Sequence, residues 1–229
     1  MVFDFLKRRE EGKTRYMHVA IDATRLENWC EKHKVGFEDC YVRVFSRMKE
    51  HMAVQVEQKI PIMSFFVLHL KADRKEELLK LLKRFIEGKW LNNFLNENKI
   101  RVTFFGKWYD LPSELVDSLK KLVEMTKNYD YFFVNFCLNY DGREELVDAF
   151  KIINRQIMAG KLSPESVTQE VIKENIYTSY FLPPDLIIRD SRDKRNSFLL
   201  WDSVGAKIVS IEKFFPDFDK RDFEKVLKG

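Results

Sequence analysis

The sequence predicts a single α/β domain built on a mainly parallel sheet of about six strands flanked by helices. Three observations lead there. Six short apolar runs are spaced along the chain, and most are continuous rather than alternating, as in strands buried on both faces. Helical patterns lie between them, and regular strand–helix alternation marks a parallel sheet. Only 8 Gly and 6 Pro punctuate 229 residues, with no linker, repeat or low-complexity tract to divide them.

The first sixteen residues are charged and read as a separate N-terminal segment, which leaves 17–229 as the domain. Within it the strand runs are Met17–Ile21, Met63–Leu70, Arg101–Gly106, Tyr131–Leu138, Asp185–Ile188 and Ala206–Ile211. Glu76–Glu97 repeats Leu and Phe at three- and four-residue spacing with Lys and Glu outside, the pattern of an amphipathic helix. Ser113–Thr126 follows Pro112 and reads as a helix that Asp110 or Ser113 caps. Gly142–Met158 and Asp219–Leu227 show the same helical spacing.

Composition narrows the classes of function. Hydrophobic residues are 45 % and charged residues 33 % of the chain, the balance of a globular protein and not of a disordered one. A net charge of +4 is too small to mark a dedicated nucleic-acid binder. Cys30, Cys40 and Cys137 are odd in number and lack a CxxC, so they read as packing residues rather than a disulfide framework or a zinc site. The opening residues MVFDFLKRREEGKTR lack the apolar core of a signal peptide, and no apolar stretch is long enough to span a bilayer. The expectation is a reduced, cytoplasmic protein.

In open parallel sheets, ligands bind beyond the carboxyl ends of the strands. The polar residues placed there are Asp22, His69, Lys71, Lys107, Asn139, Tyr140 and Arg189. One acid, several cations and an amide on one rim suggest an anionic ligand with a metal. Asp22 also reads as a helix N-cap. Arg25 falls in the first turn after it, where a cation opposes the helix dipole, so either a bound phosphate or a neighbouring carboxylate balances it. The sharpest local signal is Arg189 to Ser197, which packs Arg189, Arg192, Lys194, Arg195 and two serines into nine residues. Guanidinium groups bind phosphates through paired hydrogen bonds, and hydroxyls add to them. The alternative is a solvated loop, with Asp190 and Asp193 balancing two of the cations. His69 reads either as a general base or as an ordinary hydrogen-bonded residue at a strand end. GxGxxG, P-loop, HExxH and GxSxG motifs are all missing.

These residues also resemble a known family, the cis-prenyltransferases typified by undecaprenyl diphosphate synthase. His18–Asp22 is similar to the family's opening strand, which ends in the aspartate of D-G-N-x-R. Leu138-Asn-Tyr-Asp-Gly-Arg143 resembles N-Y-G-G-R, and Leu182-Pro-Pro-Asp-Leu-Ile-Ile-Arg189 resembles P-D-L-x-I-R. Arg189 to Trp201 resembles R-T-S-G-E-x-R-L-S-N-F-x-L-W, and Phe214–Phe218 resembles W-P-D-F. The resemblance implies condensation of isopentenyl diphosphate with an allylic prenyl diphosphate to make a cis-polyprenyl diphosphate. It implies Asp22 as the catalytic residue, Mg2+ held by Asp22 and Asp193, and substrate binding by Arg25, Arg189, Arg195 and Ser197. It also implies an apolar tunnel, for which Val44, Phe45, Met48, Met52, Phe85 and Trp90 are candidate walls, the alternative being plain core.

The chain departs from the family pattern at several points. Asp22-Ala-Thr-Arg-Leu replaces D-G-N-x-R, Leu68 to Arg74 replaces the F-S-x-E-N-W loop, and Leu227-Lys-Gly stands where R-x-G is usual. The expected assembly is therefore a homodimer, or a heterodimer in which a paralogous subunit supplies what is missing. Two other uses of the fold stay open: a non-catalytic subunit, and a prenyl-transferring or terpene-forming enzyme with a different acceptor. The lipid product would draw the protein to a membrane surface.

Overall fold

Each of the six apolar runs forms a strand. The computed structural model describes residues 15–24, 27–69, 75–190 and 197–229. The strands are β1 (His18–Asp22), β2 (Ile62–His69), β3 (Ile100–Phe105), β4 (Phe132–Tyr140), β5 (Leu186–Asp190) and β6 (Lys207–Ile211). They make one sheet in the order β3-β4-β2-β1-β5-β6, and every pairing is parallel. The continuous runs belong to the centre, where all nine residues of β4 are buried. The sixth run differs from expectation. It forms the sheet's edge, and Lys207, Ile208 and Ser210 are exposed.

The longer helices are α1 (Glu27–His33), α2 (Phe37–Glu57), α3 (Lys75–Ile86), α4 (Lys89–Glu97), α5 (Ser113–Thr126), α6 (Gly142–Met158), α7 (Gln169–Asn175) and α8 (Lys220–Lys228). Side chains alternate between the faces of a strand, so the sheet has two apolar layers. On one side α2, α3, α4, α5 and α8 pack over Val19, Ile21, Phe65, Phe136 and Ile188. On the other, Ala20, Phe66, Phe133, Cys137, Tyr140 and Ile187 pack with Phe181, Phe198 and Leu199.

The helix expected over Glu76–Glu97 is two helices. Gly88 separates them in an extended conformation, and a Cβ there would lie 3.0 Å from the Phe85 carbonyl oxygen. Neither Asp110 nor Ser113 caps α5. Pro112 is its N-cap, and the Pro112 carbonyl accepts from Leu115 N at 2.9 Å and Val116 N at 3.0 Å. By contrast, α6 and α8 start on aspartate caps, Asp141 and Asp219. The cysteines also depart from expectation. Cys30 on α1 and Cys40 on α2 form a disulfide, with Cα atoms 5.9 Å apart, while Cys137 is free and buried. The turn between the two helices, with Lys34 at φ 52°, folds one back on the other and brings the pair together. Among the described residues no helix is long and apolar enough to cross a membrane.

Candidate functional site

Parallel pairing gathers all the strands' carboxyl ends on one rim. Ile21 is in register with Ile188, so the next residues, Asp22 and Arg189, lie side by side on β1 and β5. Ile21 and Ile188 both face the helix-covered layer, so alternation turns Asp22 and Arg189 together toward the opposite layer. Asp22 is buried, and its Oδ1 accepts from Thr24 N at 3.0 Å and Thr24 Oγ1 at 2.6 Å. The carboxylate thus organises the backbone directly after β1.

Ser197 reaches the same side of the sheet. Its hydroxyl is buried and has no hydrogen-bond partner among the described residues. The segment it opens is held tightly. Phe198 stacks on Phe66 with ring centroids 5.2 Å apart. A Cβ on Gly142 would lie 2.1 Å from the Ser197 carbonyl oxygen, so the first turn of α6 runs directly against this backbone. Arg25, Asp193 and Arg195 lie outside the described residues, as do Lys71, Arg192 and Lys194.

Three of the other rim residues serve the fold. Lys107 is no free cation: its Nζ donates to Glu144 Oε2 at 2.9 Å and lies 3.4 Å from Asp148 Oδ2, and the Glu144 contact leads in raising its pKa. Asn139 donates from Nδ2 to the Lys107 carbonyl at 2.9 Å. Tyr140 is fully buried and donates to Glu145 Oε2 at 2.6 Å. His69 Nε2 stands 3.3 Å from Asp141 Oδ2, the carboxylate that caps α6. Among the described rim residues, Lys107 and His69 thus face carboxylates of α6 and its cap.

Of the tunnel candidates, Val44, Phe45, Met48, Met52 and Phe85 are buried in the helix-covered layer, where Phe45 and Phe85 stack at 4.5 Å. Trp90 is not in that interior. It is 39 % exposed, stacks on Phe94 and receives the Lys49 ammonium 4.8 Å from its ring centre. A half-open cavity of about 300 Å³ lies among α3, α4 and α5, lined by Ile86, Asn92, Ser118, Leu122 and Met125 and touching none of the rim residues.

Sequence reasoning missed Glu145. It is buried, and burial raises its pKa to about 7. A signal was present: Gly142, Glu145, Ala149 and Ile153 are the buried positions of α6, so a carboxylate sits on the helix's inward stripe.

Residues 27–229 match the family model for undecaprenyl diphosphate synthase. The chain belongs to the undecaprenyl diphosphate synthase family. A tritrans,polycis-undecaprenyl-diphosphate synthase (geranylgeranyl-diphosphate specific) of Thermoplasma volcanium is 27 % identical over 98 % of this chain and 89 % of that one. An isoprenyl transferase of Streptococcus thermophilus is 35 % identical over 58 % of this chain, a match that spans only 55 % of the relative's length. Among solved structures, lavandulyl diphosphate synthase from Lavandula x intermedia superposes with a TM-score of 0.86 at 20 % identity, covering 93 % of this chain and 94 % of that one. A probable undecaprenyl diphosphate synthase from Campylobacter jejuni gives 0.73 at 22 % identity, covering 94 % of both. These neighbours share the fold of this family member.

Proposed function

We propose that the protein is a cis-prenyltransferase that condenses isopentenyl diphosphate with an allylic prenyl diphosphate. The reading is supported by the register of β1 and β5: Ile21 opposite Ile188 sets the next residues, Asp22 and Arg189, at the same end of the sheet, and the Ser197 segment packs at the Tyr140 end of β4 with a buried hydroxyl that has no partner among the described residues. A hydroxyl buried without a partner costs free energy unless a ligand completes it, and a diphosphate oxygen is an acceptor of the right kind.

In the reaction, a bond forms between the allylic C1 and the terminal carbon of the isopentenyl unit. The allylic carbon–oxygen bond breaks and diphosphate departs, and a proton is lost as the new cis double bond forms. Arg189 and Ser197, with Arg195, would hold the isopentenyl diphosphate through charge-assisted hydrogen bonds. Arg25 would take the allylic diphosphate. Asp22 would act where that diphosphate leaves.

The donor set fits magnesium. Asp22 offers a hard carboxylate oxygen at a strand end, and no cluster of three or more ligating side chains occurs among the described residues. Mg2+ is commonly held by one or two carboxylates together with substrate phosphates, without an all-protein cage. Asp22 and Asp193 would be those carboxylates, and the bound ion supplies charge neutralisation for the departing diphosphate.

The allylic substrate we favour is geranylgeranyl diphosphate, which the archaeal relative's name specifies. The edge strand β6, with Ile208 exposed, and the exposed Val204 beside it support a dimer with a second copy or a paralogous subunit. The lipid product would bring the protein to a membrane surface. The test is incorporation of labelled isopentenyl diphosphate into a polyprenyl product with dimethylallyl, farnesyl and geranylgeranyl diphosphates. No incorporation with any of them, alone or with a paralogue, defeats the reading.

A further inference from the structure

We propose that Tyr140 and Glu145 form a positioning pair that sets the backbone of Ser197–Leu199 and thereby the affinity for isopentenyl diphosphate. The inference rests on the reading of Ser197 as a diphosphate ligand and deepens it. Its evidence is a chain of hydrogen bonds behind the rim. Leu199 N donates to Tyr140 Oη at 3.1 Å. Tyr140 Oη donates to Glu145 Oε2 at 2.6 Å, and Glu145 Oε1 accepts from Tyr177 N at 3.0 Å. Each bond polarises the next in a site that water does not reach.

Three features make this more than ordinary packing. First, Tyr140 lies in an aromatic layer with Phe66, Phe105, Phe133 and Phe198, where its hydroxyl would be costly without partners, and its two partners are Leu199 N and Glu145. Second, Leu199 has a φ of 49°, a conformation that disfavours non-glycine residues and persists only where surroundings hold it. Third, a carboxylate buried without an ion pair is expensive. The nearby Lys173 ammonium is held by Asp202 at 2.7 and 2.8 Å, and the described partners of Glu145 are hydrogen-bond donors alone. The strained residue is two positions from Ser197, so the pair acts on the diphosphate ligand through a short, rigid stretch of backbone.

The pair also gives that stretch a pH dependence. The charged and titratable groups around Glu145 are Tyr140 and Cys137 from β4, Tyr177 after α7, Lys173 from α7, and Asp202. Burial dominates them and raises Glu145 to about 7. Protonated, the carboxyl no longer accepts from both Tyr140 and Tyr177 in the same way, and the hold on Leu199 loosens.

Steady-state kinetics on Tyr140→Phe test the proposal. The KM for isopentenyl diphosphate should rise about tenfold, the size of one lost charge-assisted contact at Ser197. The kcat at saturating isopentenyl diphosphate and the KM for the allylic diphosphate should stay within about twofold. If both KM values and kcat deteriorate together with the melting temperature, the pair is structural and the proposal fails. Glu145→Gln provides the second measurement. In the wild type, KM for isopentenyl diphosphate should climb as pH falls through 7, more steeply than in the variant, because the substrate's own ionisation is common to both. Coincident profiles overturn the role of Glu145. Calorimetry with inorganic diphosphate separates the two readings. No binding by wild type removes the site itself, and with it the pair's function. Equal binding by wild type and Tyr140→Phe removes the positioning role alone.

Discussion

Gly142→Ala should damage the protein at one spot whose consequences can be traced. The added Cβ would lie 2.1 Å from the Ser197 carbonyl oxygen, 2.8 Å from Leu200 Cβ and 3.2 Å from Leu200 N. The first turn of α6 and the Ser197 segment must then part by roughly 1.5 Å to reach ordinary van der Waals contact. Such overpacking costs roughly 1–3 kcal/mol. For a chain of this length each kcal/mol lowers the melting temperature by about 2–4 °C. The catalytic loss should be larger than the stability loss, because a misplacement of about 1 Å can cost on the order of a hundredfold in rate. Thermal unfolding and steady-state kinetics with varied isopentenyl diphosphate read the two effects separately. The expected result is a fall of a few degrees with a large loss of kcat/KM for isopentenyl diphosphate. An unchanged melting temperature with unchanged kinetics would refute the backbone contact between α6 and the Ser197 segment.

Other perturbations should behave as follows. Asp22→Asn keeps an oxygen to accept from Thr24 N and Oγ1, so the fold should survive, while turnover falls by roughly a hundredfold, about 2.7 kcal/mol of transition-state stabilisation; near-normal turnover would remove Asp22 from the chemistry. Ser197→Ala deletes a hydroxyl with no partner among the described residues, so stability should hold, yet calorimetric affinity for diphosphate should drop about tenfold, as it should for Arg195→Ala. Acid should unfold the protein through buried histidines: His18 donates from Nδ1 to the Leu182 carbonyl at 2.7 Å, and burial lowers its pKa from 6.5 to about 4 and that of His51 to about 3. Each must be neutral when folded, so stability is full above pH 6.5 and falls as pH drops toward these values, by ~3 kcal/mol or more per group. Urea midpoints at pH 7.5 and 4.5 measure the slope, and a His51→Leu variant with an undiminished slope would exclude that histidine.

The strands were legible because burial on both faces leaves uninterrupted apolar runs, and all six fell within a residue or two of their observed bounds. The ends of α5 and α6 were equally plain, since Pro112 and the Asp141-Gly142 pair punctuate the chain. The rim was legible too: a residue that ends a parallel strand has only one edge of the sheet to occupy, so Asp22 and Arg189 had to share that edge if both runs were parallel. The misses are of another kind. Lys107 looked free because Glu144 and Asp148 are far away in sequence, and only the fold brings α6 beside β3. Trp90 looked internal because the break at Gly88, which ends α3 and starts α4, leaves no mark in the leucine spacing. The Cys30–Cys40 pairing depends on how α1 folds back on α2, which a ten-residue separation does not reveal. Glu145 was hidden by its own charge, since a carboxylate in a helix reads as a solvent-facing residue until its burial is seen.

The most direct measurement is turnover of the purified chain with labelled isopentenyl diphosphate and geranylgeranyl diphosphate in Mg2+, run beside Asp22→Asn. The account predicts a longer polyprenyl diphosphate carrying new cis double bonds, formed by the wild type and roughly a hundredfold more slowly by the variant. A wild type that binds diphosphate but forms no longer product with any allylic substrate or paralogous partner would contradict it.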